Sequence, residues 1–255
     1  MTIWCWRILL HMYQLMTAKI RLYIDAALSA GQSVPLTKGQ AHYLFGVMRL
    51  SLGAQVLLFD GLNGEFIADV VEAGKRNGTL LITSQTRPLQ MPPDLWLLFA
   101  PIKKTRTDFI VEKAAEMGAS RIVPVQTEYT NSGRISLERL QVHAVEAAEQ
   151  CGGTYVPKVD EMKRLDRVLN DWDTSRKIMF CDEATATDPA IPFEGGAGPW
   201  AILIGPEGGF SPDERKRLRG LEYAHVAQLG PRILRADTAA VAALTLWQAA
   251  LGDWR

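Results

Sequence analysis

The spacing of hydrophobic positions changes character partway along the chain. Ile20, Leu22 and Ile24 alternate with Arg21 and Asp25, a period of two that predicts a strand with one buried face. Thr37 to Gln40 form a capping-box pattern ahead of Ala41, Leu44, Phe45 and Met48, whose spacing predicts one short amphipathic helix. Apolar runs over residues 55–59 and 65–71, joined by DGLNG, predict a hairpin, and residues 79–83 a further strand. RPLQMPPD follows, and its three prolines cannot donate to a helix or a ladder, so it is expected to be a linker.

Beyond Pro93 strands alternate with helices. Apolar strands are expected at LWLLFA, RIVPV, KIMFCD, WAILIG and AHVAQLG. Helices are expected near residues 107–117, 137–150, 163–171, from Ser211, and over 237–251, with Gly118 and Gly152 where C-caps favour glycine. This order predicts an α/β domain with a largely parallel sheet. Three regions result: a leader over 1–16, a small β-rich module over 17–88 and the α/β domain over 89–255. In the leader, Arg7, His11 and Gln14 interrupt the apolar residues, leaving it too short for a membrane span and poor as a signal peptide. MTAKIRLYI reads as a natural start, so Met16 is the expected initiator.

Composition then narrows the chemistry. Lys+Arg and Asp+Glu are both 28, so no global field draws the chain to a polyanion, and nucleic-acid binding would rest on local patches. Such patches occur over residues 17–50, with Lys19, Arg21, Lys38 and Arg49 against Asp25, and over residues 100–113, with Lys103, Lys104, Arg106 and Lys113 against Asp108 and Glu112. Runs of this kind also arise as plain solvated faces. His42 and Tyr43 could stack on a base, or Tyr43 could pack on the module's sheet. Cys5, Cys151 and Cys181 form no CxxC pair, and His11, His42, His143 and His225 are scattered. No metal is expected, and a reducing, cytoplasmic setting fits.

Two strand ends carry the chemistry. WAILIG runs into PEGGF, and Ser211-Pro212-Asp213-Glu214 starts a helix at once with an N-cap serine, a proline at the first position and a capping-box glutamate. Gly205, Gly208 and Gly209 remove side-chain bulk and permit positive φ, so backbone there can approach a ligand. AHVAQLG runs in the same way into GPRILRADTAA. Two such bends at neighbouring strand ends could clamp one ligand, or both could be tight turns and nothing more. Neither is a P-loop or a dinucleotide fingerprint, which removes the support for kinase, ATPase and dehydrogenase readings.

LIGPEGGFSPDE with LGPRILRADTA resembles the paired signatures of RsmE-type methyltransferases of the SPOUT class. KKTRTDFIVEKAAEMGASRIVPVQTEYT, EAAEQCGGTYVP, AHYLFGVMRL and VLLFDGLNGEF are similar to further stretches of that family, so the likeness spans residues 19–251. The resemblance implies an α/β trefoil-knot methyltransferase domain behind a small N-terminal PUA-like β-barrel domain. It also implies S-adenosyl-L-methionine (SAM) as cofactor, a homodimer, and methylation of N3 of a uridine in 16S ribosomal RNA within the assembled small subunit, with no membrane involved. By the same resemblance SAM would meet Cys181, Asp182, Ile204, Gly205, Pro206, Glu207, Gly208, Gly209, Leu229, Gly230, Ile233 and Leu234. Arg232 and Arg235 would face RNA or the cofactor carboxylate, or pair with Glu207 or Asp237.

The reaction needs a cation to stabilise the uracil imidate and a base for the N3 proton, roles that fall to Arg235 and Glu207; Glu207 could instead simply brace the loop. The RNA contacts expected are Arg21, His42, Arg49, Lys103, Arg106, Lys113 and Arg232. The small-residue face of the last helix (Ala239, Ala240, Ala242, Ala243, Leu246, Trp247, Ala250) would be the dimer surface, or would be buried in the core. The chain departs from the family pattern at Asp237, where Glu is usual, and at Gly153, where Arg is usual. A non-catalytic RNA-binding protein with a decayed cofactor site is the alternative.

Overall fold

A computed structural model describes residues 20–132, 134–182, 196 and 198–255, so the expected leader lies outside the described residues. They form two compact units: one reaches to Gln90 and takes in Gly152–Tyr155, the other holds Met91–Cys151 and Val156–Arg255.

The first unit is a five-stranded sheet in the order β1-β3-β4-β5-β2. Its strands are β1 (Arg21–Tyr23), β2 (Ser33–Pro35), β3 (Gln55–Phe59), β4 (Glu65–Ala73) and β5 (Gly78–Arg87). Only β1 and β3 pair in parallel. The alternation read from sequence buries Ile20, Leu22 and Ile24 together with Val56, Leu58, Val70 and Ile82. No apolar run announces β2, because only Val34 of its three residues is buried. Thr37 caps α1 (Lys38–Ala41): its Oγ1 accepts from Gln40 N at 3.3 Å, and Thr37 N donates to Gln40 Oε1 at 3.0 Å. The expected helix does not continue as α, for His42–Val47 widen into a π-helical turn.

Two buried carboxylates organise this unit. Asp60 accepts backbone N–H bonds from Leu28, Leu62 and Asn63, which shapes the DGLNG turn. Glu65, 2% exposed, accepts from Arg21 Nε at 2.8 Å and from Arg87 Nη2 at 2.7 Å. Arg21 and Arg87 also donate to the carbonyls of Gly153 and Gly152. Thus the position where the resembled family carries arginine here supplies a backbone acceptor.

The second unit is a parallel sheet in the order β12-β10-β11-β6-β7-β8, with β9 also paired to β7. Its strands are β6 (Leu95–Phe99), β7 (Arg121–Gln126), β8 (Lys158–Val159), β9 (Lys163–Arg164), β10 (Lys177–Cys181), β11 (Trp200–Ile204) and β12 (Ala224–Ala227). The helices are α2 (Lys104–Glu116), α3 (Leu137–Cys151), α4 (Leu165–Asn170), α5 (Pro212–Arg219) and α6 (Ala236–Ala250). Leu97, Phe99 and Ile202 pack on one face with Ile110, Leu140 and Trp247, while Leu98, Leu203 and Phe180 pack on the other with Leu169 and Leu218. Burial on both faces explains the unbroken apolar runs of these strands.

The α6 face divides. Ala240, Ala243 and Trp247 are buried in the core, whereas Ala239, Ala242, Leu246 and Ala250 are half-buried. Among the described residues no helix is long and apolar enough to cross a membrane, and no group of three or more His, Cys, Asp or Glu could hold a metal.

Candidate cofactor site and nucleic-acid interface

Three parallel strands end in register. Cys181, at the end of β10, pairs with Ile204 of β11 on one side and with Ala227 of β12 on the other. The loops leaving β11 and β12 therefore emerge on either side of β10, as ligand sites in open α/β sheets require. A crevice opens between them, at the strand ends where open α/β sheets take their ligands. Of the twelve positions expected to meet the cofactor, every one but Gly208 lines it. Arg232 and Pro231 line it too, as do Ala239, expected on the small-residue face of the last helix, and Phe210, Ala227, Gln228 and Ala236, which the sequence did not mark for the cofactor.

Local chemistry holds each wall. Ser211 accepts from Glu214 N at 3.3 Å and its own N donates to Glu214 Oε2 at 2.9 Å, so the capping box fixes the start of α5 directly after the first loop. Within that loop Gly209 N donates to Pro206 O at 2.9 Å, and only Gly209 takes a positive φ, of 67°. Gly205 serves for space instead, because a Cβ there would come within 2.8 Å of the buried Phe210 ring. In the second loop Gly230 has φ of 108°, a conformation reserved for glycine. Asp182, 2% exposed, accepts from Arg215 and Arg219 of α5 at 3.1 and 2.9 Å, tying that helix to the end of β10.

The crevice suits a nucleoside-bearing ligand. Ile204, Leu229 and Leu234 give apolar wall, and the glycines bring backbone to the surface. Gln228 Nε2 donates to Gly230 O at 3.3 Å, which orients the amide and leaves Oε1 buried with no partner among the described residues, an acceptor suited to a ligand N–H or O–H. Burial pushes the Cys181 thiol up to about 12, so it is neutral and no nucleophile.

Of the two residues expected to do chemistry, Glu207 lines the crevice, and Arg235 stands in the chain between the lining residues Leu234 and Ala236. Glu207 is exposed on the crevice wall, and Arg235 is the exposed N-cap residue of α6. Among the described residues neither Arg232 nor Arg235 has a salt-bridge partner; Asp237 pairs with Arg106 at 3.0 Å instead. Arg106, one of the expected RNA contacts, is thereby engaged in an ion pair. Lys113 is likewise taken up by Glu116, at 2.5 Å. Arg21 is more fully committed, with a side chain 11% exposed that lies over Phe59 and bonds Glu65. Three of the expected cationic contacts therefore serve internal pairs. Lys103 is exposed at the N-cap of α2, and in the first unit His42 and Arg49 are exposed, Arg49 at φ of 57° and Tyr43 at 41% exposure.

Fold and crevice define the class: an α/β domain that grips a small ligand between two glycine loops at the ends of parallel strands, linked in one chain to a β module. The chain belongs to the RNA methyltransferase family, whose domain model matches residues 90–248, while a model for an RNA methyltransferase PUA domain matches residues 36–83. It is similar to the ribosomal RNA small subunit methyltransferase E of Rickettsia conorii, 27% identical over 88% of this chain and 93% of that one. The protein of the same name from Buchnera aphidicola of Schizaphis graminum is 29% identical over 91% and 97%. Among solved structures, the Neisseria gonorrhoeae methyltransferase E bound to SAM is 26% identical over 92% of this chain and 99% of that one, with a TM-score of 0.83. A Legionella pneumophila protein in complex with SAM is 29% identical over 92% and 98%, with a TM-score of 0.84.

Proposed function

We propose that this chain is a SAM-dependent methyltransferase acting on N3 of a uridine in 16S ribosomal RNA. The observation that carries the reading is the single crevice formed by two glycine loops on either side of β10. The relatives support it, being small-subunit ribosomal RNA methyltransferases, one of them solved with SAM. The domains follow as an RNA-binding PUA-like module over 17–88 and a knotted methyltransferase domain over 89–255.

When bound, SAM supplies an electrophilic methyl group. The loops over 204–209 and 229–234 would hold it, and Gln228 Oε1 would accept from one of its N–H or O–H groups. Uracil must leave its pairing before N3 can reach the methyl carbon, so the enzyme's main task is to position an extruded base. Glu207 accepts the N3 proton as the N3–methyl bond forms. Arg235 stabilises the negative charge that develops on the base. Arg232, Lys103, His42 and Arg49 contact RNA, with phosphate contacts positioning it. The half-buried face of α6, at Ala239, Ala242, Leu246 and Ala250, is the homodimer surface. The enzyme works in the cytoplasm on the assembled small subunit.

The test is to map methylated bases in ribosomal RNA from a deletion strain. Loss of one N3-methyluridine, restored by the gene but not by an Arg235→Ala copy, is expected. An unchanged methylation map would refute the activity, and restoration by Arg235→Ala would remove Arg235 from the chemistry.

A further inference from the structure

Beside the crevice stands an aromatic side chain that the roles above do not use. Tyr129 is 40% exposed, and a lone exposed aromatic needs no explanation. Tyr129 differs in how firmly its backbone is held. It sits in the turn Thr127–Thr130, directly after β7, where Thr130 N donates to Thr127 O at 3.2 Å. Thr127 N donates to Thr130 Oγ1 at 2.8 Å, and the two hydroxyls lie 2.9 Å apart. The turn is also tied to the first glycine loop through Glu214, whose Oε1 accepts from Glu128 N at 2.9 Å while Oε2 accepts from Ser211 N at 2.9 Å.

Gly208 completes the arrangement. A Cβ at that position would lie 3.3 Å from Tyr129 Cβ and 3.7 Å from its Cγ and Cδ2. The base of the tyrosine thus rests on the loop whose neighbours Glu207 and Gly209 line the crevice. The lack of a side chain at Gly208 makes room for Tyr129.

An extruded base loses its stacking partners and needs a new π surface close to the methyl donor. We propose that Tyr129 is that surface: a platform, fixed on the first glycine loop through Gly208 and Glu214, on which the target base stacks. This rests on the RNA methyltransferase reading above. It predicts a role in substrate affinity that the hydroxyl does not share and that leaves cofactor binding untouched.

The test compares wild type, Tyr129→Ala and Tyr129→Phe on small subunits purified from the deletion strain, with SAM affinity measured separately by calorimetry. Tyr129→Ala is expected to raise KM for the subunit about tenfold, with SAM affinity and thermal midpoint unchanged, while Tyr129→Phe behaves as wild type. The proposal is overturned if Tyr129→Ala leaves KM unchanged, if it weakens SAM binding in parallel, or if Tyr129→Phe is as impaired as Tyr129→Ala. A wild-type protein that binds no SAM and transfers no methyl group refutes the underlying reading, and this proposal with it.

Discussion

The Glu65 carboxylate in the first unit and the Gln228 side-chain oxygen in the second are both buried, yet they end in opposite states. Glu65 is saturated: Arg21, Arg87 and Thr86 all donate to it. Gln228 has its amide turned by Gly230 and its oxygen left without a donor. A satisfied buried charge maintains a fold, whereas a buried acceptor with nothing to accept is a cost that a bound ligand or water removes. The arginines divide along the same line. Arg21, Arg87, Arg215 and Arg219 are consumed by buried carboxylates, while Arg232 on the crevice wall and Arg235 at the start of α6 have no salt bridge to any described residue.

The sharpest way to break this comparison is Glu65→Ala. It strands two arginines, and should lower the stability of the first unit by about 3–5 kcal/mol in chemical denaturation, leaving the SAM affinity of the second unit intact. Equal loss in both units would show that Glu65 does more than hold its own sheet. Next is Arg235→Ala, expected to lower kcat by about 10²-fold with SAM affinity unchanged. A rise in KM alone, with kcat preserved, would assign Arg235 to RNA binding instead of to the reacting base.

A smaller effect is expected from acid. Burial alone would raise the Glu65 pKa, but the hydrogen bonds from Arg87, Arg21 and Thr86 and the charge of Arg21 outweigh it and hold the group below its ordinary value. A depressed folded-state pKa gives stability that is present above the unfolded value of about 4.3 and is lost as pH falls below it. Urea midpoints of the first unit should therefore be flat above that pH and fall beneath it, and Glu65→Gln should flatten the acid limb. The smallest effect is expected at Cys181. Its thiol is neutral and does no chemistry, so Cys181→Ala should keep kcat, and a large loss would show that the side chain takes part.

Much of this was legible in the sequence because it is local. Both capping boxes, at Thr37 and Ser211, join residues three apart and form as read. Strand periods and the two glycine bends are equally short-range, so the two loops could be read from the residues, while the positions expected to meet the cofactor came from the family resemblance. Partners far apart in the chain could not. Glu65 meets Arg21 across 44 residues, and Arg106 meets Asp237 across 131, so charge runs alone overstated the cations left for RNA. Gln228 and Phe210 escaped notice for another reason. No motif marks a strand-end amide whose oxygen is left unpaired, or a phenylalanine buried because the glycine opposite it has no Cβ. The π-helical turn at His42–Val47 also departs from the plain helix that its spacing predicts, since apolar spacing does not distinguish the two widths over so short a stretch.

The claim on which the rest depends is that both glycine loops close on one molecule. Hydrogen–deuterium exchange with and without saturating SAM tests it directly, at the amides of residues 205–209 and 228–234. Protection that rises in both segments together at the same SAM concentration, with the sheet of the first unit unchanged, is the predicted result. Protection of one loop alone, or of neither, would contradict it.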